Sequence, residues 1–130
     1  MVVANSLNQK LFTYLSDPID FKTVATYPLF TTLVGSKFMP IDYAFICDSA
    51  TAANGDGNFS IGWTGPTYED FISGGSSTNA ITANHFDNYP VSSGSKEVFP
   101  ANTPIILNLT NADTGTALSI RVMMCGFYFE

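Results

Sequence analysis

Residues that could do chemistry are few and scattered along this chain. His85 is the single histidine among 130 residues, which excludes a metal site or proton relay built on several histidines. A Ser-His-Asp triad would have to use it, yet Asn84-His85-Phe86-Asp87-Asn88 carries no nucleophile motif. A structural or surface histidine is the simpler reading. Glu69 and Asp70 are adjacent in sequence, whereas a glycosidase needs two carboxylates facing each other across a substrate. Pairing Glu69 with Asp56 or Asp87 stays open, but nothing singles those residues out. Asn54-Gly55-Asp56-Gly57-Asn58 approximates a calcium loop, with Phe59 where a glycine is required and Gly65 where the closing glutamate belongs. A tight polar turn accounts for it better. Cys47 and Cys125 sit in apolar runs and read as buried thiols, with a disulfide left open. No glycine loop follows a strand in the way that cradles phosphate. The chain is therefore read as non-enzymatic, with no metal and no cofactor.

Trp63, Tyr68 and Tyr89 raise a binding reading, since aromatic rings beside Asp, Asn and Gly loops are how many sandwich proteins hold sugars. Against it, Trp63 is in phase with Phe59 and Ile61, which places it in a core. Net charge is −6 with five Lys plus Arg, so there is no basic patch to neutralise phosphates and nucleic acid is not an expected partner. No apolar run reaches the roughly 18 residues of a membrane span, and the opening MVVANSLNQK lacks the apolar core of a signal peptide. The Asn58-Phe59-Ser60 and Asn108-Leu109-Thr110 triplets then read as chance matches to the glycosylation pattern.

The elements that would position these residues are short strands. Leu118 to Glu130 is the most informative stretch. Leu118, Ile120, Val122 and Met124 fall on one face, and Met123, Cys125, Phe127 and Phe129 on the other. Its second half is apolar on both sides and needs cover on both, the outer cover coming from another subunit. Asn58 to Thr64 alternates cleanly, and Phe38 to Asp48 puts Met39, Ile41, Tyr43, Phe45 and Cys47 on one apolar face. Ile19 to Tyr27 and Ile105 to Thr110 alternate as well. Tyr68 to Ile72 reads as one helical turn, and Ser73 to Asn79 as a flexible loop. Residues 1–17 read as a short helix or arm. Ser6 has capping-box spacing, Leu7, Leu11, Phe12 and Leu15 share a helical face, and Pro18 ends the unit.

The count of about eight short strands between Gly, Pro, Asn and Ser turns predicts an all-β fold, an antiparallel β-sandwich of jelly-roll kind over residues 18–130. Apolar residues make up 45% and charged residues only 12%, which suits a subunit that buries much of its surface in an assembly. Leu7, Leu11, Phe12, Leu15, Phe127 and Phe129 are the candidate residues for that contact.

Three stretches carry a family resemblance: FSIGWTGPTYEDFI, VFPANTPIILNLTNADTG and ALSIRVMMCGFYF. From about Phe21 onward the chain resembles small phage virion proteins of the jelly-roll kind, the capsid decoration (cement) proteins and head-fibre proteins. The resemblance implies a homotrimer on the capsid surface, assembled in the host cytoplasm. Its partner would be the major capsid protein or another virion protein. It transfers no catalytic residue. A receptor- or carbohydrate-binding fibre domain using Trp63, Tyr68 and Tyr89 is the alternative.

Overall fold

The computed structural model describes residues 10–78, 81, 86–87 and 98–130. Among them the chain forms nine strands and no helix: β1 (Lys10–Leu15), β2 (Ile19–Asp20), β3 (Thr26–Thr31), β4 (Lys37–Thr51), β5 (Asn58–Gly62), β6 (Ile72–Ser76), β7 (Phe86–Asp87), β8 (Pro104–Asn111) and β9 (Ala117–Phe129). β9 alternates strictly over its 13 residues: Leu118, Ile120, Val122, Met124, Gly126 and Tyr128 point inward and are buried, and their neighbours are half-buried on the other face. Backbone polar groups on both edges of a buried strand need partners. β4 supplies them along one edge, from Lys37↔Phe129 to Thr51↔Ala117. β1 and β2 supply them on the other, at Lys10↔Tyr128 to Leu15↔Met123 and at Ile19↔Ile120.

The first sheet runs β1-β9-β4-β7 with β2 also on β9, and the second runs β3-β8-β5-β6, with antiparallel pairing throughout. Counting β1 and β2 as two halves of one strand along β9, this is the eight-strand order of a jelly roll. The inner faces meet over two groups of rings. Phe12, Phe30, Phe38, Phe99 and Tyr128 form one, with Phe38–Tyr128 centroids 5.1 Å apart. Phe21, Phe45 and Phe59 form the other, with Phe45–Phe59 centroids 4.9 Å apart. Such tilted and edge-on pairs add to the burial of the rings themselves. Gly126 lies in the first group because a Cβ there would stand 2.1 Å from the Met39 carbonyl and 2.8 Å from the Phe38 ring.

Four sequence expectations are corrected. Of the stretch read as a short helix or arm, Lys10–Leu15 is a strand that pairs with β9 in the sandwich. Its apolar residues satisfy either period, and the open edge of β9 decides between them. In β4, Met39 and Ile41 do not share the inner face of Tyr43, Phe45 and Cys47. A bulge between Pro40 and Asp42 reverses the alternation, so Phe38 points in while Met39 and Ile41 are exposed. Tyr68 to Ile72 makes no helical turn, and Ile72 opens β6. Ile72–Ser76 is itself a strand in spite of its loop-like composition, and Gly75 lies against the Phe59 ring, 2.6 Å from where its Cβ would be.

A buried aspartate ties together the loops at one end of the sandwich. Asp113 is 1% exposed. Its carboxylate accepts backbone N–H groups from Asn54 (3.0 Å), Gly55 (2.6 Å), Asp56 (3.3 Å) and Gly115 (2.8 Å). The Lys22 ammonium donates to the carbonyls of Asp113 and Gly115. Asp56 in turn accepts from the Thr114 N–H at 2.8 Å and hydroxyl at 2.5 Å, and these bonds hold its carboxyl below the usual range. The loop that approximates a calcium site thus spends its one carboxylate, Asp56, on the N–H and hydroxyl of Thr114.

Two stability outcomes are expected. Asp113→Ala strands several buried N–H groups and should cost about 3 kcal/mol or more in urea unfolding; a loss within about 0.5 kcal/mol would contradict the clasp. Tyr43 is buried with no hydrogen-bond partner for its hydroxyl among the described residues, and burial, then Asp42, pushes its pKa up to about 12. Tyr43→Phe removes that unpaired group and should be neutral or stabilising by up to about 1 kcal/mol, read as an unchanged or raised Tm.

Candidate interaction surface

The outer face of the first sheet gathers most of the apolar residues that have no core to enter. Register places Leu11, Phe127 and Met39 side by side across β1, β9 and β4. The next outward rows are Thr13, Cys125 and Asp42, then Leu15, Met123 and Ala44. Leu11 is 72% exposed, Ile41 60%, Leu15 54% and Met39 43%, so this row is a hydrophobic surface and not a second core. Phe127 and Phe129 are half-buried on the same face. The bulge at Ile41 creates part of it, since it turns Met39 and Ile41 outward together. Leu33 and Val34 extend the apolar character around one end, where Asn102 donates to the Leu33 carbonyl and Tyr128 bonds the Leu33 backbone. Lys10 and Lys37, both exposed, pair with Tyr128 and Phe129 and so stand on either side of the end of β9.

Four of the six contact candidates therefore share one face: Leu11, Leu15, Phe127 and Phe129. Phe12 does not. It points inward, 5.2 Å from Phe30 and 5.4 Å from Tyr128 by ring centroid. Leu7 lies outside the described residues. The exposed side chains of Met39 and Ile41 are missed by a strict period-2 reading, because an inserted residue leaves no mark in the pattern.

The sugar-binding candidates do not come together in the same way. Trp63 is half-buried with its ring tilted on Phe99 at 5.2 Å, on the rim of the core. Asp70 shapes this turn, accepting from the N–H groups of Trp63 and Thr64, both at 2.7 Å, and from the Thr64 hydroxyl. Tyr68 has φ +53° and lays its hydroxyl over Gly65, whose Cβ would lie 3.0 Å away. Tyr89 and His85 lie outside the described residues. Cys47 is buried, which raises its thiol pKa, with Asp48 adding to the effect. Cys125 is half-buried on the outer face. A cavity of about 210 Å³ opens between β1 and β3. On its lining, Ser16 bonds β9 and the Tyr27 hydroxyl donates to the Asp20 and Thr23 carbonyls.

No protein-family model matches the chain, and no curated protein matches it by sequence. Its fold does recur among solved structures. It superposes on a chain of the cyanophage Pam1 capsid asymmetric unit with a TM-score of 0.62 at 14% identity, covering 100% of this chain and 92% of that one. A chain of the acidic stable capsid of Helicobacter pylori bacteriophage KHP30 follows with 0.54 at 14% identity, covering 94% and 93%. Identity this low establishes a shared fold. The coverage adds that both neighbours are chains of nearly this length.

The two faces of β1 should separate in mutagenesis. Leu11→Ser is expected to change stability by less than about 0.5 kcal/mol. Phe12→Ala, which takes a ring out of a four-ring contact, should cost about 2–4 kcal/mol in urea unfolding. Equal losses would mean that Leu11 is covered.

Proposed function

We propose that this chain is a structural, non-catalytic virion protein, a decoration (cement) protein that binds the outside of an assembled phage capsid as a trimer. The observation that carries the reading is the fold shared end to end with small chains of two phage capsids. The apolar outer face of the first sheet supports it. A row of Leu11, Phe127 and Met39 with Ile41 and Leu15 around it is larger than scattered surface leucines, and contiguous exposed apolar surface is characteristic of an interaction site.

The mechanism is mass action. A protein that binds only the assembled lattice stabilises that lattice by its own binding free energy. It needs complementary surface and no reaction. Fully burying a Leu, Met or Ile side chain contributes roughly 1.5–3 kcal/mol, and a trimer multiplies the contact through effective concentration. The carbohydrate reading has less support, because Trp63 packs on Phe99 at the rim of the core.

The test is co-sedimentation with undecorated capsids. The wild type is expected to pellet with the shells. Leu11→Lys with Met39→Lys, both at exposed positions, should leave Tm within a few degrees and abolish pelleting or trimer formation by light scattering. Full-strength capsid binding by a trimeric double variant would show that another face makes the contact.

A further inference from the structure

We propose that the outer edge of β1 pairs with β1 of a second copy, antiparallel about a two-fold axis through Thr13, so that two first sheets become one. This goes beyond the capsid-facing role. It uses the strand edge, not the apolar face, and it would link neighbouring copies to each other.

The hydrogen-bond parity of β1 fixes which groups are offered. Ser16 closes the ladder to β9, its N–H donating to the Val122 carbonyl at 2.9 Å and its Oγ accepting the Val122 N–H at 2.8 Å. Bonded residues alternate in an antiparallel ladder. The even-numbered residues of β1 therefore bond β9, and the N–H and C=O groups of Leu11, Thr13 and Leu15 face away from it. Among the described residues no strand lies beyond β1 in the first sheet.

The two edges of the second sheet are defended and this one is not. β3 carries Pro28 and a register shift beside it. β6 carries Gly74 at φ +69°. These are the devices that discourage strand addition. β1 keeps a regular register over six residues, contains no proline or glycine, and exposes Leu11 and Leu15.

β1 is also complementary to itself. Antiparallel pairing centred on Thr13 sets Leu11 against Leu15 of the second copy, Thr13 against Thr13, and Leu15 against Leu11. All three outward-facing residues are then used in hydrogen-bonded pairs, and Leu–Leu and Thr–Thr are favourable cross-strand neighbours. The charges agree. Lys10 and Asp17, both exposed, mark opposite ends of the strand, and this register brings each Lys10 within one residue of Asp17 of the second copy.

Cysteine cross-linking reads the register directly. Thr13 stands opposite Cys125 on β9, so the background is Cys125→Ser. Hydrogen-bonded partners lie about 5.5 Å apart at Cα, inside the range a disulfide spans. Thr13→Cys in that background should form a linked pair under mild oxidation. Leu11→Cys and Leu15→Cys should link when mixed and not when alone. Separately, Thr13→Pro removes an N–H that faces away from β9. It should keep the monomer fold by circular dichroism and weaken edge association roughly tenfold or more in sedimentation velocity. Absence of the Thr13→Cys link, self-linking by Leu11→Cys alone, or unchanged association of Thr13→Pro would overturn the proposal. Each measurement is made in solution without capsids, so its failure leaves the co-sedimentation result standing, and a failure to bind capsids leaves this one standing.

Discussion

The fold depends on satisfying both edges of β9 at once. A 13-residue strand in the middle of a sheet carries a long double row of donors and acceptors. β4 covers one row over nearly its whole length, and β1 with β2 covers the other. Those pairings bring residues 10–20, 37–51 and 117–129 into one sheet. The inward residues of that sheet must then be covered, and β3, β8, β5 and β6 do so. The break at Ser16–Pro18 is accommodated because Ser16 replaces a lost backbone acceptor with its own Oγ, 2.8 Å from the Val122 N–H.

Loops in this protein are held by carboxylates more than by ion pairs. Asp113 gathers four N–H groups at one end of the sandwich, and Asp70 gathers three donors around the turn at Trp63. The Arg121–Asp48 contact at 3.0 Å is a partly exposed pair and contributes little by comparison. A buried carboxylate surrounded by backbone donors fixes a loop without a counter-charge. That is how a chain with few charges keeps tight connections between its strands.

The apolar outer face, and an edge of β1 that no strand among the described residues covers, are features that a solitary monomer would be expected to avoid. They sit on the same sheet but ask for different partners. The face offers side chains to a complementary apolar surface. The edge offers backbone groups to another strand. Neither requires a reactive group; Asp56, Asp70 and Asp113 are engaged in the loops, and burial pushes the Cys47 thiol away from ionisation.

Period-2 alternation made β5, β8 and β9 legible from sequence alone, because side chains of a half-buried strand must alternate and the register shifts beside β5 leave Phe59, Ile61, Ile105, Leu107 and Leu109 buried in phase. It also made the sandwich legible, from strand number and turn chemistry. The pairing partners settled what the pattern left open. Leu11, Phe12 and Leu15 fit a helix or a strand, and the vacant edge of β9 chose the strand, sending Phe12 inward and Leu11 outward. Ile72–Ser76 reads as loop by composition, and the edge of β5 made it a strand in which Gly75 fits against Phe59. Ile41 is the plainest case. One inserted residue reverses the parity of β4, and the local signal beside it is Pro40, a residue that a central strand takes only at its start or at a bulge. The core was thus written in the sequence. The outer face depends on which residues pair across the sheet, and only the tertiary structure fixed that.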